Sequence, residues 1–138
     1  MSLTSDEISA AVRNMLRRAE LASDAKVDTD HVRAAFTGRS DETLTEVPHI
    51  QHYGFHSEPL KGASAVIAAL GGRSDGLLCL GIDDHRKRPN LGAGGVAIWH
   101  PAGHMVSLVQ QKIRVVSGNP VEVAAPSMTI NGRRVLTE

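Results

Sequence analysis

Two groups of histidines and one run of mixed charge are where residue types and spacing in this chain could do chemistry. His49, His52 and His56 lie within eight residues, and His100 and His104 are four apart. Zinc needs three or four converging ligands. Spacing alone does not make them converge, and Pro101 and Gly103 deny the second pair a regular helix. The run Asp83-Asp84-His85-Arg86-Lys87-Arg88 offers two carboxylates beside an imidazole, which would suit a Mg²⁺ or Zn²⁺ hydrolase. No second carboxylate cluster complements it, since Asp75 is the only other acid between residues 59 and 121. A tight turn with interlocked ion pairs is the simpler expectation. Cys79, the single cysteine, sits inside LLCLGI and reads as a small buried hydrophobe rather than a reactive thiolate. Ser57, Ser64 and Ser74 lie in no G-x-S-x-G elbow, and GAGG at 92–95 lacks the Lys-Ser/Thr of a phosphate loop. The expectation is a protein without catalytic residues, cofactor or metal.

The chain that must position these groups has 138 residues, enough for one ordinary domain with extensions. Fifteen Lys and Arg balance fifteen Asp and Glu, which argues against a protein built mainly to grip nucleic acid. The balance is uneven along the chain. Residues 1–60 hold six basic against ten acidic side chains, and residues 61–138 hold nine against five. Such asymmetry can orient partners in an assembly. No apolar run approaches the ~18 residues of a membrane span. The N-terminus has acids where a signal peptide has a basic region, so cytosolic synthesis is expected. Only Phe36, Tyr53, Phe55 and Trp99 are aromatic, so the core must come from Ala, Val, Leu and Ile.

Residues 5–22 are predicted as a helix capped at Ser5, with Ile8, Val12, Met15, Leu16 and Ala19 at helical spacing. Residues 23–30 form a polar boundary. HVRAAF (31–36) and TLTEVPHI (43–50) are predicted strands around the GRSDE turn, with Pro48 at an edge or strand end. HYGFHSEPLKG (52–62) is expected to be a structured loop pinned to the body by its two aromatics. SAVIAAL (64–70), LLCLGI (77–82) and GGVAIW (94–99) are short apolar runs between Gly- or Asp-rich turns, predicted as strands of one closed or covered sheet. A helix over 63–70 stays open because Ala is frequent there.

From residue 105 the rhythm changes. MVSLV, KIRVVS, PVEVAA, SMTI and RRVL are strand-like pieces separated by QQ, GN, PS and NG. Gly118-Asn119 and Asn131-Gly132 are turn signals. Strands so short and light need either the barrel or repeated copies about an axis.

The stretch Tyr53-Gly54-Phe55-His56-Ser57-Glu58-Pro59-Leu60-Lys61-Gly62-Ala63 is followed by Gly71-Gly72-Arg73-Ser74 and by Asp83-Asp84 with Arg86 and Arg88-Pro89. LGAGGVAIW (91–99) and AAPSMTINGRRV (124–135) come next in order. In that order and spacing, residues 45–138 resemble the phage Mu-like baseplate central spike proteins, also called baseplate assembly protein V or tail puncture proteins.

The resemblance implies a mostly β chain in three parts: an N-terminal helix and linker (1–28), an OB-like small barrel (29–104), and the start of an intertwined trimeric β-helix (105–138). It implies a homotrimer that docks to the tail hub and tube proteins of the baseplate and meets the host outer membrane during injection. Its place would be the virion tail baseplate, with assembly in the host cytoplasm. By the same analogy Ile113, Val115, Val121, Val123, Ile130 and Val135 point into the shared axis. Tyr53, Phe55, Arg73, Asp83, Asp84, Arg86 and Arg88 make structural loop or intersubunit contacts. Needles of this family often end in His-x-His around iron. Here no His-x-His occurs and no histidine follows His104, so no metal is assigned. A shortened chain, a tip from another protein and a short specialised spike remain open. The alternative function is a single-stranded nucleic-acid-binding OB module, weakened by the neutral charge and the scarcity of stacking rings near the basic residues.

Overall fold

The computed structural model describes residues 2–38 and 41–135, so part of the GRSDE turn and the end of RRVL lie outside the described residues. Two compact units divide the chain, one up to Arg86 and one from Lys87.

The first unit opens with α1 (Ser5–Asn14), and its cap is Thr4 rather than Ser5. Thr4 Oγ1 accepts from the Glu7 backbone N–H at 3.3 Å, while Glu7 Oε2 accepts from the Thr4 N–H at 2.7 Å. This reciprocal pair satisfies two of the donors that a helix start leaves orphaned. The helix is shorter than the 5–22 expected. LRRAEL has good helix formers, but residues 16–21 form a strand, β1 (Leu16–Leu21). Pairing with the barrel overrides local propensity there, and Ala19 and Leu21 turn inward on the two-residue period of a strand.

The other strands of this unit are β2 (Lys26–Asp28), β3 (His31–Thr37), β4 (Thr43–His49), β5 (Ser64–Ala69) and β6 (Leu77–Asp83). SAVIAAL is therefore a strand, not a helix. The sheet runs β1-β5-β6-β4-β3-β2 and closes on itself through β1–β3 pairing. Counting β2 with β1, since both pair antiparallel with β3 one after the other, five strands form a closed OB-like barrel, antiparallel except where β4 meets β6. Its first strand thus comes from the segment read as helix and linker.

A bulge explains why TLTEVPHI alternates only in part. Ala34 pairs with Val47 and Phe36 with Leu44, so Thr45 and Glu46 together oppose Ala35. Glu46 takes φ of 55°, and its carbonyl accepts from Arg33 Nη1 at 3.0 Å. The extra residue lets both Leu44 and Val47 face the core from positions three apart. That core is small-residue packing around Leu21, Phe36, Val47, Ile67 and Cys79. Phe36 is its only aromatic among the described residues.

The second unit contains β7 (Val96–Trp99), β8 (Met105–Val109) and β9 (Lys112–Val116), an antiparallel sheet in sequence order, and the hairpin β10 (Thr129–Ile130) with β11 (Arg133–Arg134). GGVAIW is therefore not a strand of the barrel sheet; β7 pairs with β8 alone. PVEVAA forms no strand within the chain. The Asn131-Gly132 turn is as expected: both residues have positive φ, 48° and 74°, between the pair Ile130 and Arg133. Such a two-residue turn matches the strand twist, and glycine takes the left-handed position without strain.

Candidate assembly surface

One network holds the loop that leads into β5. The Ala25 N–H donates to the Pro59 carbonyl, Leu21 N–H to Ala63, and Gly62 N–H back to Leu21, all at 2.8–2.9 Å. Asp24 Oδ1 accepts from the Lys61 N–H at 2.7 Å. Arg86 closes the network from the other side, donating from Nη2 to the Lys61 carbonyl at 3.0 Å. The same guanidinium grips Asp84, with Nε to Oδ1 at 2.8 Å and Nη2 to Oδ2 at 2.7 Å. Those charge-assisted bonds hold the Asp84 carboxyl down at a pKa of about 2. The charged run is thus a folded clamp that joins the end of β6 to the PLKGA loop. Asp83 lines a shallow groove on the barrel wall with Arg18, Val66 and Gly81. Arg73 makes a separate two-point ion pair with Asp75 across the turn between β5 and β6.

The aromatic loop differs from expectation. Gln51 closes it, accepting from the Ser57 N–H and donating to the Ser57 carbonyl, both at 2.7 Å. The loop is therefore built by an amide clasp, while Tyr53 is fully exposed and Phe55 is 66% exposed. Within one chain Tyr53 does not pin it to the body, and Phe55 lines a shallow cleft with His31, Val32 and His49.

The histidines are spread over separate tasks. His56 pairs with Glu58 at 3.1 Å, and His49 lies near Gln51, its pKa lowered by burial. His100 and His104 stack at 5.8 Å between ring centroids across the β7–β8 turn. The Nδ1 of His100 accepts from the Ala102 N–H, and the Nδ1 of His104 meets Ser117 Oγ at 3.0 Å. Among the described residues no three His, Cys, Asp or Glu side chains converge on one point. Cys79 is fully buried, and burial pushes its thiol up to about 11.

The second unit presents a surface of a different kind. Registered neighbours on antiparallel strands share a face, as do alternate residues along each strand. Val96 pairs with Leu108 and Leu108 with Ile113; Ile98 pairs with Val106 and Val106 with Val115. Six aliphatic side chains therefore form two parallel rows on one face. All are exposed, from 42% for Val106 to 73% for Ile113. The opposite face carries the buried Ser107 and half-buried Trp99; Trp99 lines a shallow pocket with residues 88–93, Gly95 and Ala97, Arg88 among them. Val121, Val123, Ile130 and Val135 are likewise exposed. Of the aliphatic face, sequence reasoning singled out only Ile113 and Val115. The alternation in VAIW and MVSLV carried the signal for the other four, but VAIW had been placed in the barrel.

A small closed barrel with a loop clamp, and a unit of light strands with an exposed aliphatic face, define a β-structured protein of two units. The chain belongs to the phage Mu Gp45 baseplate spike family. Residues 23–86 match the family described as Bacteriophage Mu Gp45, N-terminal. The baseplate puncturing device gp45 of Escherichia phage Mu is 38% identical over 96 residues, covering 68% of this chain and 49% of that protein. The Mu-like prophage FluMu protein gp45 of Haemophilus influenzae is 26% identical over 98 residues, covering 70% of this chain and 53% of the relative. The chain spans about half the length of the curated relatives it matches.

Proposed function

We propose that this chain is a non-enzymatic structural protein of the baseplate of a contractile phage tail or related injection particle. It works as a homotrimer, docks to the tail hub and tube, and supports the piercing of the host outer membrane. One observation supports this beyond kinship: the aliphatic face of β7–β9 has no cover among the described residues of its own unit. Exposed contiguous apolar surface of this kind marks a contact site. In the trimer, Ile113 and Val115 face the common axis with Val96, Ile98, Val106 and Leu108, and Val121, Val123, Ile130 and Val135 continue the apolar line. The task is mechanical. Chains wrapped about one axis cannot loosen singly without breaking contacts to their neighbours, so an axial load is shared. The exposed Tyr53 and Phe55, and the Arg73, Asp83, Asp84, Arg86 and Arg88 loops, serve the contacts of the barrels with each other and with the hub.

Exposed rings on an OB-like barrel also suit base stacking. Here, however, residues 50–58 carry no Lys or Arg and one Glu, so the loop itself offers a nucleic-acid backbone no Lys or Arg. Sedimentation equilibrium of the purified chain tests the assembly reading. A trimer at micromolar concentration is expected; a stable monomer there overturns it.

A further inference from the structure

Gly81 stands inside β6, yet nothing in its own chain calls for a glycine there. A Cβ built on it would meet no atom within 4 Å, and its φ is not left-handed. A glycine in a strand weakens it and marks a bulge or a close approach by another group. The neighbouring bulge does not need it. Val66 pairs with Gly81 and Ile67 with Cys79, so the extra residue is Leu80, which stands 51% exposed. Arg18 on β1 pairs with Val66 on β5, and the bare Gly81 completes that row across the outer wall. The absent side chain leaves an open groove of about 490 Å³ lined by Arg18, Ser64, Val66 and Asp83. Leu16, exposed on the same face, extends it into an adjoining apolar hollow with Arg18 and Val66. Among the described residues Arg18 has no ion-pair partner.

The same barrel carries an anchor without a socket. Tyr53 is fully exposed at the tip of a turn in which the Phe55 N–H donates to the His52 carbonyl at 3.0 Å. The Gln51 clasp holds that turn, as does the seat of Phe55 beside His31, Val32 and His49. The phenol ring is thus presented before contact, at little further cost in ordering. Tyrosines of this kind are frequent anchors of protein contacts. The turn packs by β3 and β4, whereas the groove lies on β1, β5 and β6, so Tyr53 leaves the groove of its own chain unfilled. Two different surfaces of one chain that fit each other join copies head to tail, and in a trimer the contact recurs around a ring. Arg18 gives the ring of Tyr53 a cation to lie against. Residues 50–58 bring no Lys or Arg to oppose it.

From this we infer that Tyr53 of one copy seats in the Gly81 groove of the next, its ring against that copy's Arg18 and Val66. The inference rests on the trimer reading and adds to it a contact between barrels.

Two measurements on the full chain test it. Sedimentation velocity is run on Y53A, G81V and the double variant, with circular dichroism to show the barrel unchanged. Each single change should raise the concentration for half-assembly by roughly tenfold, and the double variant should be no weaker than either. Losses that multiply to about a hundredfold would mean that the two residues do not meet. In the second measurement Tyr53 is replaced by the photocrosslinker p-benzoylphenylalanine, and this chain is mixed with an isotopically heavy copy. An adduct from position 53 to the groove residues of the other copy supports the inference. The crosslink needs no groove variant, so it decides the matter even where G81V fails to fold. A trimer in which position 53 reacts elsewhere, within its own chain or not at all overturns the inference and leaves the trimer standing. A monomeric wild type overturns both readings.

Discussion

Arg86 fills the space that a side chain on Gly62 would need: a Cβ built there would stand 2.5 Å from Arg86 Nη1. Gly62 also has φ of +87°, a conformation that side-chain-bearing residues rarely adopt. The glycine is therefore tied to the clamp by two independent causes, contact and backbone. Gly62→Ala should destabilise the barrel by about 1–3 kcal/mol. Adding Arg86→Ala should return the contact part and leave the backbone part. Urea unfolding of both single variants and the double one measures the split; fully additive losses would show that the guanidinium and the glycine do not meet.

The clamp also sets a pH dependence. Arg86 lowers the folded Asp84 carboxyl from 3.8 to about 2, so the unfolded chain takes up the proton first as acid is added. The contribution is complete above pH ~4 and is lost as pH falls from there towards 2. Arg86→Ala should flatten that limb of the stability curve, while Arg73→Ala, which leaves Asp84 untouched, should not. Thermal melts at half-unit pH steps would resolve the difference.

How far the sequence carried the fold depends on whether neighbours were needed to decide. HVRAAF, LLCLGI and the Asn131-Gly132 turn declare themselves locally, through alternation, a continuous apolar run or a left-handed pair. LRRAEL does not: its helical spacing over Met15, Leu16 and Ala19 is real, and only pairing with Ser64–Ala68 on β5 and with Phe36 and Thr37 on β3 makes it a strand. GGVAIW is apolar enough for a barrel strand, and nothing local says that its partner is β8. The site divides in the same way. The charged run was legible as a turn with ion pairs, but its reach to the Lys61 carbonyl spans 25 residues and leaves no local mark. The loop's two rings suggest pinning because a ring in a loop ordinarily packs on its own body, yet Tyr53 is fully exposed and the Gln51 amide closes the loop instead.

Cys79 offers a test of core integrity. Fully buried and held protonated to about pH 11, it should ignore a thiol reagent at pH 8 while the barrel is closed. Modification should follow global unfolding and scale with denaturant as the unfolding constant does. Rapid labelling of the native chain at pH 8 would mean that the β5–β6 wall opens locally, which its paired strands argue against.

The aliphatic rows of β7–β9 make the last prediction. Ile98 and Ile113 are 68% and 73% exposed and sit at opposite edges of the same face. In a lone chain, replacing either by Asp removes little buried surface and should shift the barrel's melting by less than ~0.5 kcal/mol in equivalent stability. In an assembly, each carboxylate would be buried in an apolar contact, once per copy, at a cost of several kcal/mol. Ile98→Asp and Ile113→Asp should therefore give monomers with unaltered barrel circular dichroism, whereas Val27→Asp, at an exposed position on the barrel unit, should leave the oligomer intact. Sedimentation of the three variants separates these cases: an oligomer that persists with either isoleucine changed would mean that the face is not where the copies meet.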